Sequence, residues 1–334
     1  MSIIEKNLLK VRKEIGDKEL TLMVKANAYN HGVEGVTYIA NTIVDRYGVA
    51  TLDEAIHLRN LGVEKPITLF SFEDKDIKDV INYQITPIVY NENTLCSVIY
   101  FNYHNFDIKI DTGMNRYGFK TIIEVSNALD HMIKINMIPR AIHTHFSSEQ
   151  SVFEQKECFD KLLESYSNRL NNTKKIVSAS SGIRKGLFLD GVRLGLDAYI
   201  NALEVSADII SIKNVKANEE VGYDGLYKPI RDTRIAVITG GYYDGIRRSY
   251  RGARALINGK ECTIVGNVCM DSTLLDIGDI PAKVGDRVVI LNSYTMPSYI
   301  NIDKSSAYEV ITAIKGRGKR IYLYNGQIYN KIIN

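Results

Sequence analysis

The chain has no tryptophan, only four cysteines and six prolines in 334 residues, and almost no excess of either charge. Each scarcity removes a class of protein. Cys96, Cys158, Cys262 and Cys269 form no CxxC pair and fall at no His/Cys metal spacing. A disulfide scaffold and a metal module are therefore not expected, and four free thiols in a reducing cytoplasm are. Lysine and arginine number 42 against 39 acidic residues, a net charge of +3. That is too small for a nucleic-acid or membrane-surface footprint unless clustered. The nearest cluster, KGRGKR at Lys315 to Arg320, reads as a solvated turn. No apolar run approaches the ~18 residues of a membrane span. Glu5, Lys6 and Lys10 interrupt any apolar core near the start, so a signal peptide is not expected there. Neither nucleic acid nor membrane is expected as a partner.

What is present is ordinary globular material, 45% apolar and 24% charged, which excludes disorder and fibrous repeats. Ile4, Leu8, Val11 and Ile15 space like one face of a helix. Eight β-branched runs follow: TLMVK (21–25), YGVAT (47–51), ITLFS (67–71), ITPIV (85–89), FDIKID (106–111), AIHTH (141–145), KKIVSAS (174–180) and DGVRLG (190–195). Helical spacing separates most of them, as at Ile122, Val125, Ala128, Leu129 and Met132. Alternation of strand and helix implies right-handed βαβ units and a parallel sheet. Eight units predict a closed (β/α)₈ TIM-type barrel, with an open doubly wound sheet as the alternative. After residue 205 short runs broken by Gly, Asn and Pro predict an antiparallel β domain, with little helical spacing before Ser306–Ile314. The expected domains are 1–204, a cofactor-binding barrel, and 205–334, a C-terminal β domain.

Barrel chemistry sits at the carboxyl ends of the strands. Lys25 follows the first strand in VKANAYNHG, where a buried stem favours the neutral amine needed for a Schiff base. A lysine that snorkels to the rim is the alternative. Strand five ends in KIDTGMNRYGF, with Lys109, Asp111 and Arg116. Strand six offers His143 and His145 on one face by period two. Strand seven ends in SASSGI, where Ser180, Ser181 and Gly182 can present a hydroxyl and amides to a phosphate. Strand eight carries Arg193 and Gly195. Singly, each also reads as a turn, a core histidine or a helix cap. Together at successive strand ends they point to one site.

These motifs resemble the alanine racemase family, the fold-type III pyridoxal 5′-phosphate enzymes, from about residue 20 to residue 322. VKANAYNHG looks like the family's cofactor-lysine motif. KIDTGMNRYG, THF, GVRLG, VGYDG, GYYDG with Arg248, and VCMD are similar to further family motifs, in family order. The resemblance implies pyridoxal 5′-phosphate as cofactor, with no metal. It implies that Lys25 is the Schiff-base lysine, and that Tyr29, Ser181 and the backbone at Gly195 and Leu196 hold the phosphate. Arg193 would face the pyridine nitrogen, with His145 orienting it from behind. An arginine there leaves the ring nitrogen unprotonated, which favours racemisation over transamination.

Racemisation needs a base on each face of the planar centre. The resemblance implies Lys25 for one face and Tyr223, from the partner subunit of a homodimer with shared active sites, for the other. Met270, Asp271 and Tyr242 would come from the same partner surface. Arg116 would bind the substrate carboxylate, and Lys109 matches a lysine that is carbamylated in many members. The implied activity is interconversion of L- and D-alanine, supplying D-alanine for peptidoglycan. Read without the family, Tyr223 is one of 21 tyrosines and packs as readily in a core.

The chain departs from the family at several points. No opening strand is evident before the cofactor lysine, where only an amphipathic segment precedes Leu20. Ser180 stands in place of an Asn, Gly316 of a tyrosine that crowds the substrate, Asn267 of an arginine and Gln150 of an acidic residue. A wider pocket would admit serine or a longer amino acid. Two other readings stand beside racemisation. One is a fold-type III decarboxylase, against which Arg193 argues; the other is a cofactor-carrying homologue with little turnover.

Overall fold

The computed structural model describes residues 1–178, 180–315 and 317–329, without the side chains of residues 178, 180 and 181. These residues form two compact units, one of Met1–Ala28 and Gly32–Ala198, the other of Tyr29–His31 and Tyr199–Tyr329.

The first unit is a closed barrel of eight parallel strands in sequence order. They are β1 (Glu19–Met23), β2 (Arg46–Val49), β3 (Ile67–Leu69), β4 (Thr86–Val89), β5 (Asp107–Lys109), β6 (Ala141–His143), β7 (Lys174–Ser178) and β8 (Gly191–Leu194). Closure comes from β1, whose Thr21 lies beside Arg46 on one side and Arg193 on the other. β1 is the first of the expected runs, TLMVK, and ends just before Lys25; among the described residues no strand precedes it. The amphipathic segment ahead of it is a separate helix, Ser2–Ile15, which buries Ile4, Leu8, Val11 and Ile15.

All the barrel strands except β4 stop one or two residues short of the expected runs, for a physical reason. At the carboxyl end of β5, Asp111 N–H leaves the ladder and donates to Phe119 O at 2.9 Å, while Phe119 N–H donates to Lys109 O at 3.0 Å. Backbone groups there serve loops rather than neighbouring strands. The helix Ile122–Lys134 buries Val125, Ala128, Leu129 and Met132. Ile122, expected on the same face, is 73% exposed because it is the first helical residue, beyond the reach of the core.

The amino-terminal end of the barrel is polar rather than greasy. Glu19 accepts from Arg140 Nη1 at 2.8 Å and Lys174 Nζ at 2.8 Å, and lies 3.5 Å from Arg46 Nε. Arg46 Nη1 also donates to Thr68 Oγ1 and Thr86 Oγ1. The outward faces of the strands, such as Leu20 and Leu22 on β1, supply the apolar contact with the helices.

The second unit contains six antiparallel strands: β9 (Val205–Val215), β10 (Thr233–Thr239), β11 (Arg254–Ile257), β12 (Lys260–Ile264), β13 (Ser272–Asp276) and β14 (Arg287–Leu291). They close into a barrel in the order β10-β13-β12-β11-β14-β9, with β9 also paired to β10. Closure removes the exposed edges that an open sheet would leave. Asn258 and Gly259, both at positive φ, make the two-residue hairpin between β11 and β12. A helix at Met296–Asp303 was not legible from its residues, since Pro297 and Asn301 mask its spacing. It is anchored by Tyr299, whose ring meets Tyr250 edge-on at 4.8 Å.

Candidate active site

Lys25 emerges immediately after β1, half-buried. The next five residues, Ala26 to Asn30, all have φ between 51° and 66°, a turn of left-handed helix. Asparagine tolerates that conformation, but each alanine or tyrosine in it costs about 1–2 kcal/mol. The surroundings impose it. Glu54 accepts from Ala26 N–H at 2.7 Å through one oxygen and from Ala50 N–H at 2.8 Å through the other. Asn27 Oδ1 accepts from Val33 N–H at 2.8 Å. Strain held this firmly beside a lysine marks a site where position matters more than stability. Burial lowers the Lys25 pKa from its ordinary value, helped by Arg116 and Arg193 and opposed by Glu54.

The β5 end contributes a second lysine. Lys109 is 1% exposed, and burial, with Arg193 and Arg116 nearby, brings its pKa to about 7. The loop after it is organised by Asp111, whose carboxylate accepts from Gly113, Asn115 and Arg116 N–H at 2.9–3.1 Å. The loop returns through Gly118 at φ +125°, where a Cβ would come within 2.9 Å of Asp111 N and 3.0 Å of Lys109 O. This fold-back sets Arg116 over the Tyr117 ring at 5.0 Å.

Arg193, on β8, is 4% exposed. Its Nη1 donates to His143 Nδ1 at 3.1 Å, and its Nη2 donates to Thr144 O at 2.8 Å and His145 Nδ1 at 3.2 Å. The guanidinium also stacks on Phe70 at 4.8 Å. Burial lowers its pKa to about 10, still well above neutrality, so it stays charged. His145 is brought down to about 2 by burial and by the cations Arg193, Arg116, Lys109 and Lys25, and is neutral.

Lys25, Lys109, Arg116, His145 and Arg193 thus gather at the carboxyl end of one barrel. Gly195 and Leu196 open a short 3₁₀ turn directly after β8, where Ala198 N–H donates to Gly195 O. Ser181 begins no contact that can be stated, because its side chain lies outside the described residues, as does Gly316. Tyr29 belongs to the second unit, buried, with its ring 5.1 Å from Tyr199 and 5.8 Å from Tyr308.

Tyr223, Tyr242, Met270 and Asp271 also lie in the second unit, all exposed, Tyr223 to 68%. Asn267 donates to Asp224 Oδ2 at 2.9 Å and to Tyr223 O at 3.4 Å. Asp271 pairs with Arg317 at 2.8 Å, and Arg317 also pairs with Asp244 at 2.7 Å. The basic run that read as a solvated turn is therefore exposed but partly committed to ion pairs. Gln150 is exposed.

The residues alone suggested nothing for Asp107, Glu54 or Tyr117, and offered His143 as a strand-end candidate without a specific role. Period two already put Asp107 on the face of Lys109, and His143 on the face of His145. The acidic partner of His143 was the signal passed over. Among the described residues no cluster of His, Cys, Asp or Glu is spaced to hold a metal ion, and no helix is long and apolar enough to cross a membrane.

A parallel barrel that delivers a depressed-pKa lysine into a ring of cations, continued in the same chain by an antiparallel β unit, defines a barrel enzyme built for amine chemistry on an anionic ligand. The comparisons give that class its family. Residues 1–202 match the alanine racemase N-terminal domain and residues 202–322 the alanine racemase C-terminal domain. The chain belongs to the alanine racemase family. It is 30% identical to the alanine racemase of Mannheimia succiniciproducens, covering 94% of this chain and 95% of that one. It is 31% identical to that of Pasteurella multocida, over 94% of both. Among solved structures, alanine racemase of Clostridium difficile 630 superposes with a TM-score of 0.89 at 26% identity, covering 97% and 94%. The alanine racemase of Bartonella henselae, solved with covalently bound pyridoxal phosphate, has the same fold, with a TM-score of 0.86 at 23% identity over 96% and 97%.

Proposed function

We propose that this protein is a pyridoxal 5′-phosphate-dependent racemase that interconverts L-alanine and D-alanine, within a cytoplasmic homodimer, as a supplier of D-alanine for peptidoglycan. The supporting observation is the charge balance of the barrel mouth. Lys25, Lys109, Arg116 and Arg193 crowd together, while the carboxylates beside them, Asp111 and Glu54, are spent on backbone N–H groups. An anionic aromatic phosphate fits such a donor set. When bound, the cofactor would supply a carbonyl for an amine and a conjugated ring that acidifies Cα.

The chain's residues would divide the rest. Lys25, whose pKa burial lowers, would take or return the Cα proton on one face. Tyr223 of a second copy takes or returns it on the other face, and its exposure beside Met270, Asp271 and Tyr242 suits such a partner-facing role. Arg193, locked by three acceptors and permanently charged, would hold the ring nitrogen unprotonated. His145 would keep it turned. Tyr29, Ser181 and the backbone of Gly195 and Leu196 would hold the phosphate, and Arg116 the substrate carboxylate. Lys109, with a pKa of about 7 and so roughly half neutral at that pH, would accept carbon dioxide as a carbamate, whose negative charge would then hold Arg116. The working domains would be 1–204 and 205–334.

The test is turnover in both directions against a panel of L- and D-amino acids, with added pyridoxal phosphate. Interconversion of alanine supports the proposal. Decarboxylation, or no turnover by cofactor-loaded protein, overturns it.

A further inference from the structure

We infer that Asp107 and His143 are a positioning pair that holds Arg193 from inside the barrel and fixes the direction its guanidinium faces. The inference rests on the functional reading above, since it gives Arg193 its purpose.

Geometry leaves His143 one state. Arg193 Nη1 can only donate, and it lies 3.1 Å from His143 Nδ1, so Nδ1 presents its lone pair. Asp107 Oδ2 lies 2.8 Å from His143 Nε2 and, when ionised, can only accept, so Nε2 carries the hydrogen. A neutral imidazole with its hydrogen on Nε2 satisfies both neighbours at once. Burial lowers the His143 pKa to about 4, and the hydrogen bond from neutral His143 together with the charge and hydrogen bonds of Arg140 holds Asp107 well below the carboxylate range despite its burial. Asp107 is 0% exposed and His143 1%, so no bulk water competes for these bonds.

The pair is itself fixed from below. Arg140 Nε donates to Asp107 Oδ1 at 2.9 Å and Nη2 to Oδ2 at 2.7 Å, a bidentate clamp. Arg140 Nη1 reaches both oxygens of Glu19, at 3.1 and 2.8 Å. A line of charge-assisted bonds therefore runs from the first residue of β1 through β5 and β6 to Arg193 on β8. His143 does not duplicate His145. It takes Nη1, whereas His145 and Thr144 take Nη2, so both terminal nitrogens are tied and the guanidinium plane cannot rotate.

The experiment compares cofactor-loaded wild type with His143→Leu and His143→Asn, after thermal melts establish that each folds. In ¹⁵N-histidine NMR, the His143 resonances, identified by their absence in His143→Asn, should show a pyridine-like Nδ1 and a pyrrole-like Nε2. In His143→Leu, kcat should fall roughly 10–100-fold with KM changed less than about threefold, the signature of a misplaced group rather than lost binding. The ratio of 2-keto acid released to enantiomer formed should rise about tenfold. That ratio reports abortive amino transfer, which exchanges amino acid and pyridoxal phosphate for keto acid and pyridoxamine phosphate. His143→Asn sets an amide oxygen near the place of Nδ1 and should return the ratio to within about threefold of wild type.

A protonated Nδ1 overturns the inference, as does an active wild type whose kcat and product ratio survive His143→Leu, or an Asn variant no better than Leu. If His143→Leu does not fold, the tautomer and the Asn variant decide. A wild type that racemises no amino acid fails differently, because it overturns the functional reading and takes this inference with it.

Discussion

Lys109 sits with its amine 5.1 Å from the centroid of the Tyr117 ring, and the guanidinium of Arg116 covers the same ring at 5.0 Å. The aromatic face offers partial negative charge to two cations, yet it does not neutralise them. Burial and the neighbouring Arg193 still bring Lys109 to about pKa 7. The folded chain then binds the lysine proton less readily than the unfolded chain, whose lysine titrates near 10.5. Below pH 7 both states hold the proton and the penalty is complete. Between about pH 7 and 10.5 only the unfolded state holds it, so stability rises with pH. The expected gain is on the order of 5 kcal/mol at most. Denaturant melts of cofactor-free wild type and Lys109→Met across that window should show a steeper rise in wild type. Parallel curves would place the Lys109 amine in water. With ¹³C-bicarbonate, a carbamate carbon resonance should grow above pH 7 and be absent from Lys109→Met.

Lys25 should be the lysine that holds the cofactor. The protein is expected to be yellow, and borohydride should fix the cofactor to the peptide containing Lys25. Lys25→Ala should lose the colour and at least about a thousandfold in turnover. Peptide mapping that finds the reduced adduct on Lys109 would reverse the roles of the two lysines.

Glu54 holds the turn that directly follows Lys25. Its two oxygens hold Ala26 and Ala50 N–H groups, and it also closes a capping box with Thr51. Glu54→Ala removes the partner of a strained turn. Loss of the cap alone costs about 0.5–2 kcal/mol. Cofactor affinity should fall about tenfold or more as the turn relaxes towards right-handed φ. Fluorescence titration measures this, and unchanged affinity would show that the barrel alone imposes the turn.

Shared sites predict complementation. Lys25→Ala and Tyr223→Phe should each be nearly inactive in racemisation. After subunit exchange, a heterodimer carries one site with both bases and one with neither, so activity should return. If one chain supplied both bases, every site in the mixture would lack one and none would return.

Side-chain selectivity should be loose. Gly316 stands where the resembled family has an aromatic wall, and a single methylene is worth only about 1–3 kcal/mol of discrimination. Gly316→Tyr should therefore raise the preference for alanine over serine about tenfold in kcat/KM. An unchanged ratio would mean that another side chain already fills the space.

Much of this was legible because periodicity and strand ends are local signals. The eight barrel strands were marked by β-branched runs, and Lys25, Lys109, Arg116 and Arg193 by their place after them. What was hidden is non-local. Glu54 reads as an ordinary cap residue, and only the pairing of β1 with β2 brings its carboxylate to Ala26. Asp107 and His143 are 36 residues apart and meet only across paired strands β5 and β6. The closure of β9 to β14 into a barrel also depends on long-range pairing, which no run of residues announces. Lys109 was recognisable as a candidate, but its lowered pKa follows from burial in the closed barrel and then from Arg193, 84 positions away in the chain, counting from 109 to 193.

The left-handed turn after β1 bears on how the chain assembles. A right-handed helix can nucleate from its own residues, but a mirror-handed turn rich in alanine is disfavoured at every step of local growth. It must wait for Glu54 and Asn27 to close around it, and so for β2 and the start of the next helix to dock. Until then Lys25 is a solvated amine near its ordinary pKa, largely protonated and slow to react with aldehydes. Burial lowers that pKa only once the barrel that restrains the lysine has formed.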